Sequence, residues 1–350
     1  MYSKLISSLA LLVIPGVARG LIETCEDLQA AFELTQTQDV VDEISIRADI
    51  DCPTFTNMTM TSNSLTLNSA EDLSISSGST SLTNVRLEVT GGAKLVWETS
   101  VFFWGDEEDE NNVNGGGVFV GEGSTVRFMN DVEMRDVRIT NERDGDSDSA
   151  VFVRFGGCVW TAGYFRVDGD ATFTSCAIIG AGESPPGSGG AVFVDETGSV
   201  LFNQGVAISD TFITNDGGGD GGGIFNLGKV NIKGDSRFEE LSARSGAAIY
   251  NGEGATFNFR SGASALFRDL SNRDSEGSAL VNLGFFKFSG PALFVDADAP
   301  VIIAAEGSTT VISGNSVFWT FENDDVTGEA IVGPDSADVS IPSSVTFVGF

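Results

Sequence analysis

Three times between Gly221 and Val295 a corner of small residues opens onto a short apolar run. The copies are Gly222-Gly223-Ile224-Phe225-Asn226, Gly246-Ala247-Ala248-Ile249-Tyr250-Asn251 and Gly277-Ser278-Ala279-Leu280-Val281-Asn282. A short alternating strand follows each (Val230 and Ile232; Phe257 and Phe259; Phe286 and Phe288), then a third strand carrying Phe238, Phe267 or Phe294. A period of roughly 25 to 32 residues built from three short strands predicts a β-solenoid. Earlier corners stand at Gly115-Gly116-Gly117-Val118-Phe119, Gly156-Gly157-Cys158-Val159-Trp160 and Gly189-Gly190-Ala191-Val192-Phe193. Counted from Cys158, Gly223 and Ala279, large apolar residues recur at +7, +9 and +15: Phe165, Val167, Phe173; Val230, Ile232, Phe238; Phe286, Phe288, Phe294.

Physical chemistry turns that register into a structure. Each strand pairs in parallel with its counterpart one rung up, about 4.8 Å away, and the rest of the rung supplies the crossover that parallel pairing needs. Equivalent side chains then stack in columns, Phe at +15 and aromatics or Val at +2. The Gly pairs sit where the coil bends and backbones approach closely, which favours positive φ. The expected fold is all-β: a single-stranded right-handed parallel β-helix with a short N-terminal capping helix. It spans residues 55–350, with its clearest repeats at 115–296.

Residues 1–20 read as a secretory signal peptide: Lys4, an apolar core from Leu5 to Ile14, and the small-x-small site Ala18-Arg19-Gly20. Residues 21–54 read as the cap. Leu28, Ala31 and Phe32 share a helical face, and Glu43 to Cys52 alternates as one strand with Ile44, Ile46 and Ile50 on one side. Cys25 and Cys52 bracket this unit, and a disulfide between them is expected in an exported chain. Cys158 and Cys176 lie in one rung at inward positions, which predicts a second bridge. No later segment is long and apolar enough to be a membrane helix, so the mature chain is expected to be secreted, without a membrane span.

The corners resemble the Gly-Gly-Ala-Ile/Val-Phe/Tyr repeats of polymorphic outer-membrane proteins and of other right-handed β-helices of the pectin-lyase-like class; the nearest copies are at Gly189 and Gly246. The Asn those repeats carry three residues after the Phe is replaced here by Cys176, Leu241, Leu270 and Ala297. Those proteins also carry a C-terminal membrane barrel, which is not expected within these 350 residues. The resemblance implies fold and a surface location, not an activity.

The chain has a net charge of −31 and no His. The acidity argues against nucleic acid as a partner. The missing His removes Ser-His-Asp and Cys-His catalysis and His-ligated zinc. A calcium-dependent lyase needs several acids beside an Arg or Lys base on a neighbouring rung; Arg237, Arg244, Arg260, Arg268 and Arg273 share no motif. Asp144, Asp146 and Asp148 supply alternating carboxylates suited to Ca²⁺, the one cofactor the residues allow for, although a solvated acidic loop explains them as well. A further acidic run lies at Asp106 to Glu110, and long insertions of this kind tend to gather on one face. Asn57-Met58-Thr59 is an N-glycosylation sequon. Trp97 and Trp160 are expected in stacked core. The expected function is that of a non-catalytic surface, wall or matrix component, or an adhesin for extracellular glycans or surface proteins. The alternative is a calcium-dependent polysaccharide lyase or other carbohydrate-active enzyme.

Overall fold

The computed structural model describes residues 20–35, 41–46, 49–61, 64–69, 79–105, 116–141, 155–180, 188–214, 219–272, 278–297, 300–313, 315–319 and 330–348. Apart from Gly20, the expected leader lies outside them. The chain is a parallel β-helix solenoid, and among the described residues all ladders are parallel.

Each regular rung contributes three strands to long ladders, and several add a fourth segment: Arg138–Asn141, Ala177–Gly180 and Phe212–Thr214 pair in succession and continue at the end of Ser236–Ala243. A first ladder stacks Val118–Val120, Val159–Thr161, Val192–Val194, Ile224–Asn226, Ile249–Asn251, Leu280–Asn282 and Ile302–Ala304. A second ladder runs through twelve strands from Gly20–Ile22 to Asp338–Ser340, and includes Lys94–Trp97, Thr125–Phe128, Tyr164–Val167, Ser199–Phe202, Lys229–Ile232, Thr256–Phe259, Phe285–Phe288 and Thr309–Ile312. A third includes Ser100–Trp104, Val132–Arg135, Ala171–Thr174 and Val206–Ser209, and then the starts of Ser236–Ala243, Ala265–Asn272 and Ala292–Ala297.

The expected columns are present residue by residue. Phe165, Val200, Val230, Phe257 and Phe286 are successive partners, as are Val167, Phe202, Ile232, Phe259 and Phe288. On the third ladder Phe238, Phe267, Phe294 and Phe318 stack at 4.9, 4.5 and 4.6 Å between ring centroids, with planes 7° apart. Each such pair contributes about 0.5–1.5 kcal/mol beyond the area it buries. Leu241 and Leu270, two of the residues standing where the repeats that the corners resemble carry Asn, are buried and aligned, so apolar packing occupies that position.

Polar groups inside the coil are stacked by the same rule. Asn226 Nδ2 donates to Asn251 Oδ1 (2.7 Å), Asn251 Nδ2 to Asn282 Oδ1 (2.8 Å), and Asn282 Nδ2 to Thr310 Oγ1 (2.8 Å). Each amide also donates to a second-ladder carbonyl, of Thr256, Phe285 and Thr309 respectively. All three Asn are fully buried, and the relay supplies the partners that burial demands.

The corners explain their glycines in two ways. At four corners the opening glycine, which for the Gly222 corner is the preceding Gly221, is left-handed: φ is 69° at Gly156, 74° at Gly189, 69° at Gly221 and 61° at Gly246. The second is pressed against the next rung, and a Cβ on Gly190 would stand 2.1 Å from the Gly222 carbonyl oxygen.

The helix Cys25–Thr35 covers the first rungs, with Leu28, Ala31 and Phe32 buried as expected. Thr24 caps it: its Oγ1 accepts from the Asp27 N–H (3.1 Å) and donates to Asp27 Oδ2 (2.8 Å). The single strand expected from Glu43 to Cys52 is instead two. Val41–Ile46 belongs to the second ladder, while Ile50–Met60 runs on from the third ladder into the first, so the chain turns a corner between them.

Both disulfides are present, with Cα atoms 5.3 Å apart for Cys25–Cys52 and 5.6 Å for Cys158–Cys176. The second closes a short loop within one rung and ties the Gly corner to the end of the third-ladder strand, a constraint of about 3 kcal/mol on the unfolded chain.

The two reasons for glycine are separable by mutation. Gly190→Ala is expected to cost about 2–3 kcal/mol by overpacking against the next rung. Gly254→Ala, at φ 72° with open space around it, carries only the conformational term of about 1 kcal/mol. Urea midpoints of the two variants check this; equal losses would show that rung crowding is not what selects glycine at 190.

Candidate functional site

Because the interior is filled, chemistry is confined to the outer faces and the turns. On the outer side of the third ladder a groove of about 610 Å³ runs along the solenoid axis, lined by Asp170, Asp235, Arg237, Leu266, Leu293 and Val317 among others. Asp170 and Asp235 enter it from equivalent turns two rungs apart, about 10 Å. Asp235 is already engaged: its Oδ1 accepts from the Ser264 N–H (2.9 Å) and Oγ (2.7 Å). Those two bonds hold its carboxyl below the usual carboxylate range. One corner of the coil repeats the device, since Asp131 Oδ1 accepts from the Asp170 N–H (2.9 Å). These turn aspartates clip one rung to the next.

Among the described residues, the closest meeting of acid and base lies on the second ladder. Asp168 receives Arg127 through Nε at 2.7 Å and Nη2 at 2.6 Å, Arg166 through Nε at 2.6 Å, and the Asn203 amide. Partial burial alone would raise its pKa. The hydrogen bonds from Arg166, Arg127 and Asn203, with the charge of Arg127, outweigh burial and hold the carboxyl below its ordinary value. A carboxylate so engaged is a poor base, and it acts as a clamp over three rungs.

The arginines read from the sequence are dispersed. Arg244 forms a two-point pair with Asp220 (3.1 and 2.8 Å), Arg268 reaches Glu239 and Asp269 at 3.3 Å, and Arg260 donates to Asn231 (2.8 Å). Arg237 lines the groove, and Arg273 lies outside the described residues. Asp144, Asp146 and Asp148 also lie outside them, as does the run at Asp106 to Glu110. Among the described residues no three Asp, Glu, Cys or His come together around a metal-sized position. Asn57 is exposed, next to the buried Met58 in its strand, and accepts from Arg86 Nη1 at 3.2 Å.

Trp97 is core, but Trp160 is not. The +2 residues point outward and form an external stack of Phe119, Trp160, Phe193, Phe225 and Tyr250 with centroids 4.4, 6.5, 5.3 and 4.7 Å apart and planes within 7°. Strand alternation decides the side: Val159 and Thr161, flanking Trp160, are the inward pair. The Arg86 guanidinium covers the end of the stack, 5.1 Å from the Phe119 centroid. Ring faces in this stack meet other rings, so its edges rather than its faces look outward. A depression of about 580 Å³ lies beside Phe119 and Trp160 with Glu122, Asp195 and Glu196 on its rim.

The Asp168 clamp has a pH signature. A depressed folded-state pKa contributes stability that is present above the unfolded value of about 3.9 and is lost as pH falls through the folded pKa. In the Arg127→Ala/Arg166→Ala double variant Asp168 titrates nearer its ordinary value. The variant is therefore expected to be destabilised relative to the parent at pH 7, with the difference shrinking on acidification below about pH 4. Urea midpoints at pH 7 and pH 3 measure this; a constant difference would mean the arginines act by packing alone.

No protein-family model matches this chain, and no curated protein or solved structure does either.

Proposed function

We propose that this chain is a secreted, non-catalytic β-helix serving as a structural or adhesive component of a cell surface, wall or matrix, in contact with extracellular glycans or surface proteins. One observation supports this most: the acids nearest to a catalytic arrangement are taken up in holding rungs together. Asp168 is saturated by three side chains, and Asp235 and Asp131 cap the backbone of the following rung. The net charge of −31 agrees with an exported, self-repelling particle that stays dispersed. Kinship with the right-handed pectin-lyase-like class, suggested by the Gly-Gly-Ala corners, is part of the same proposal, as is use of Asn57 as a glycan acceptor.

The second reading, a calcium-dependent lyase or other carbohydrate-active enzyme, draws on the axial groove holding Asp170, Asp235 and Arg237. A single assay separates the two. Incubated with polygalacturonate, alginate and neutral glucans, with and without Ca²⁺, the protein is expected to release no unsaturated products and no new reducing ends. Ca²⁺-dependent release that disappears in Asp235→Asn or Arg237→Ala would replace the first reading by the second.

A further inference from the structure

The charge of this protein is not spread evenly over its faces. Over the eight second-ladder strands from Lys94 to Ile312, each taken with the residue after it, there are seven basic side chains: Lys94, Arg127, Arg166, Lys229, Lys233, Arg260 and Lys287. Only two acids share these positions, Glu98 and Asp168. A chain of net charge −31 thus carries one face of net charge about +5 at neutral pH.

The concentration is sharpest on three neighbouring rungs. Lys229, Thr256 and Phe285 are successive partners, and so are Asn231, Asn258 and Lys287. Lys233 and Arg260 follow those strands immediately, on adjacent rungs, with the Arg260 N–H held by the Ile232 carbonyl. Lys229, Lys233 and Arg260 are exposed and Lys287 is partly so. None of the four is in an ion pair among the described residues; Arg260 donates to the neutral Asn231. Beside them Phe285 is 37% exposed, although the interior had room for Phe only at alternate positions, so this ring faces solvent.

Lys233 and Arg260, neighbours at rung spacing, repel unless an anion joins them, with Lys229 and Lys287 lining the same face, and an exposed aromatic ring among them offers an apolar platform. We infer that this strip binds a linear sulfated polysaccharide laid along the solenoid axis, with a sugar ring against Phe285 and sulfate groups at Lys229, Lys233, Arg260 and Lys287. The inference deepens the adhesive reading above and rests on it.

Three features select that partner. The strip is one four-residue strand wide, about 13 Å. It is edged by Glu253 and Glu306 in the turns before the strands and by Asp235 in the turn after, which disfavours a broad polyanion such as a nucleic-acid duplex. The rest of the molecule repels any polyanion at long range, so only a ligand gaining strongly at contact is held. Dense sulfation provides that gain through charge-assisted hydrogen bonds and counterion release.

Heparin, dextran sulfate, alginate and single-stranded DNA of matched length are the probes, with binding measured by calorimetry from 0.05 to 0.5 M NaCl. The two sulfated polymers are expected to bind, and alginate and DNA at least tenfold more weakly. Lys229→Glu/Lys233→Glu is expected to lower sulfated-polymer affinity at least tenfold and flatten its salt dependence. Phe285→Ala is expected to lower affinity severalfold with the salt dependence unchanged. Arg135→Glu, on the third ladder, is the control and should bind as the parent does, and thermal melts confirm that each variant is folded.

Absence of binding to either sulfated polymer would overturn the inference. Equal binding of alginate or DNA, or equal losses in the strip and control variants, would overturn it as well. Cleavage of any polymer would instead remove the non-catalytic reading, so the two failures are distinguishable.

Discussion

Backbone hydrogen bonding between equivalent strands of neighbouring rungs is the constraint from which the remaining features follow. Parallel strands about 4.8 Å apart leave no freedom for one rung to differ from the next in the position of a bend. A bulky residue at a bend is therefore excluded by the rung beside it as well as by its own backbone. Gly190 faces the Gly222 carbonyl, and Gly157 faces that of Gly190, each at 2.1 Å from a built Cβ. The same spacing aligns side chains, and alignment rewards residues that stack on themselves. Flat rings do so at Phe238, Phe267, Phe294 and Phe318, and amides do so at Asn226, Asn251 and Asn282.

This rule also governs charge, with the opposite sign. Like charges stacked at rung spacing repel, so a charged residue is tolerated where a partner of the other sign lies within reach or where water screens it. Asp168 between Arg127 and Arg166 is the first case, and the turn acids Glu253 and Glu306 are the second. The run of Lys229, Lys233, Arg260 and Lys287 is neither fully, which sets that face apart in a strongly acidic molecule.

Much of the architecture was legible in the chain because a solenoid writes its register as a sequence period. The +7, +9 and +15 residues are the inward columns, the +2 residues do stack, and both cysteine pairs are bonded. Less legible was the side on which a column lies: the alternation at Val159-Trp160-Thr161 fits either face when Thr is allowed inside, and Trp160 proved external. A second feature left almost no trace. After six of the third-ladder segments a non-glycine residue stands in the left-handed region, Asn84, Asp136, Ser175, Asp210, Glu240 and Asp269, with φ between 52° and 55°. Asx residues hint at such a bend, but Ser175 and Glu240 do not, because the ladders on either side impose it.

By itself, then, the sequence determined the fold class, the rung register, the capping helix and the composition of the core, since each of these follows from periodicity and from the steric demand for small residues at the corners. Only the tertiary structure decided which acids and bases meet. Asp168 and Arg127 are 41 residues apart in sequence and in contact in space, and Lys229 and Lys287 belong to one strip only because the coil returns at a fixed spacing. A one-dimensional pattern states how often the chain comes round, while the surface is made by what lies above and below each residue when it does.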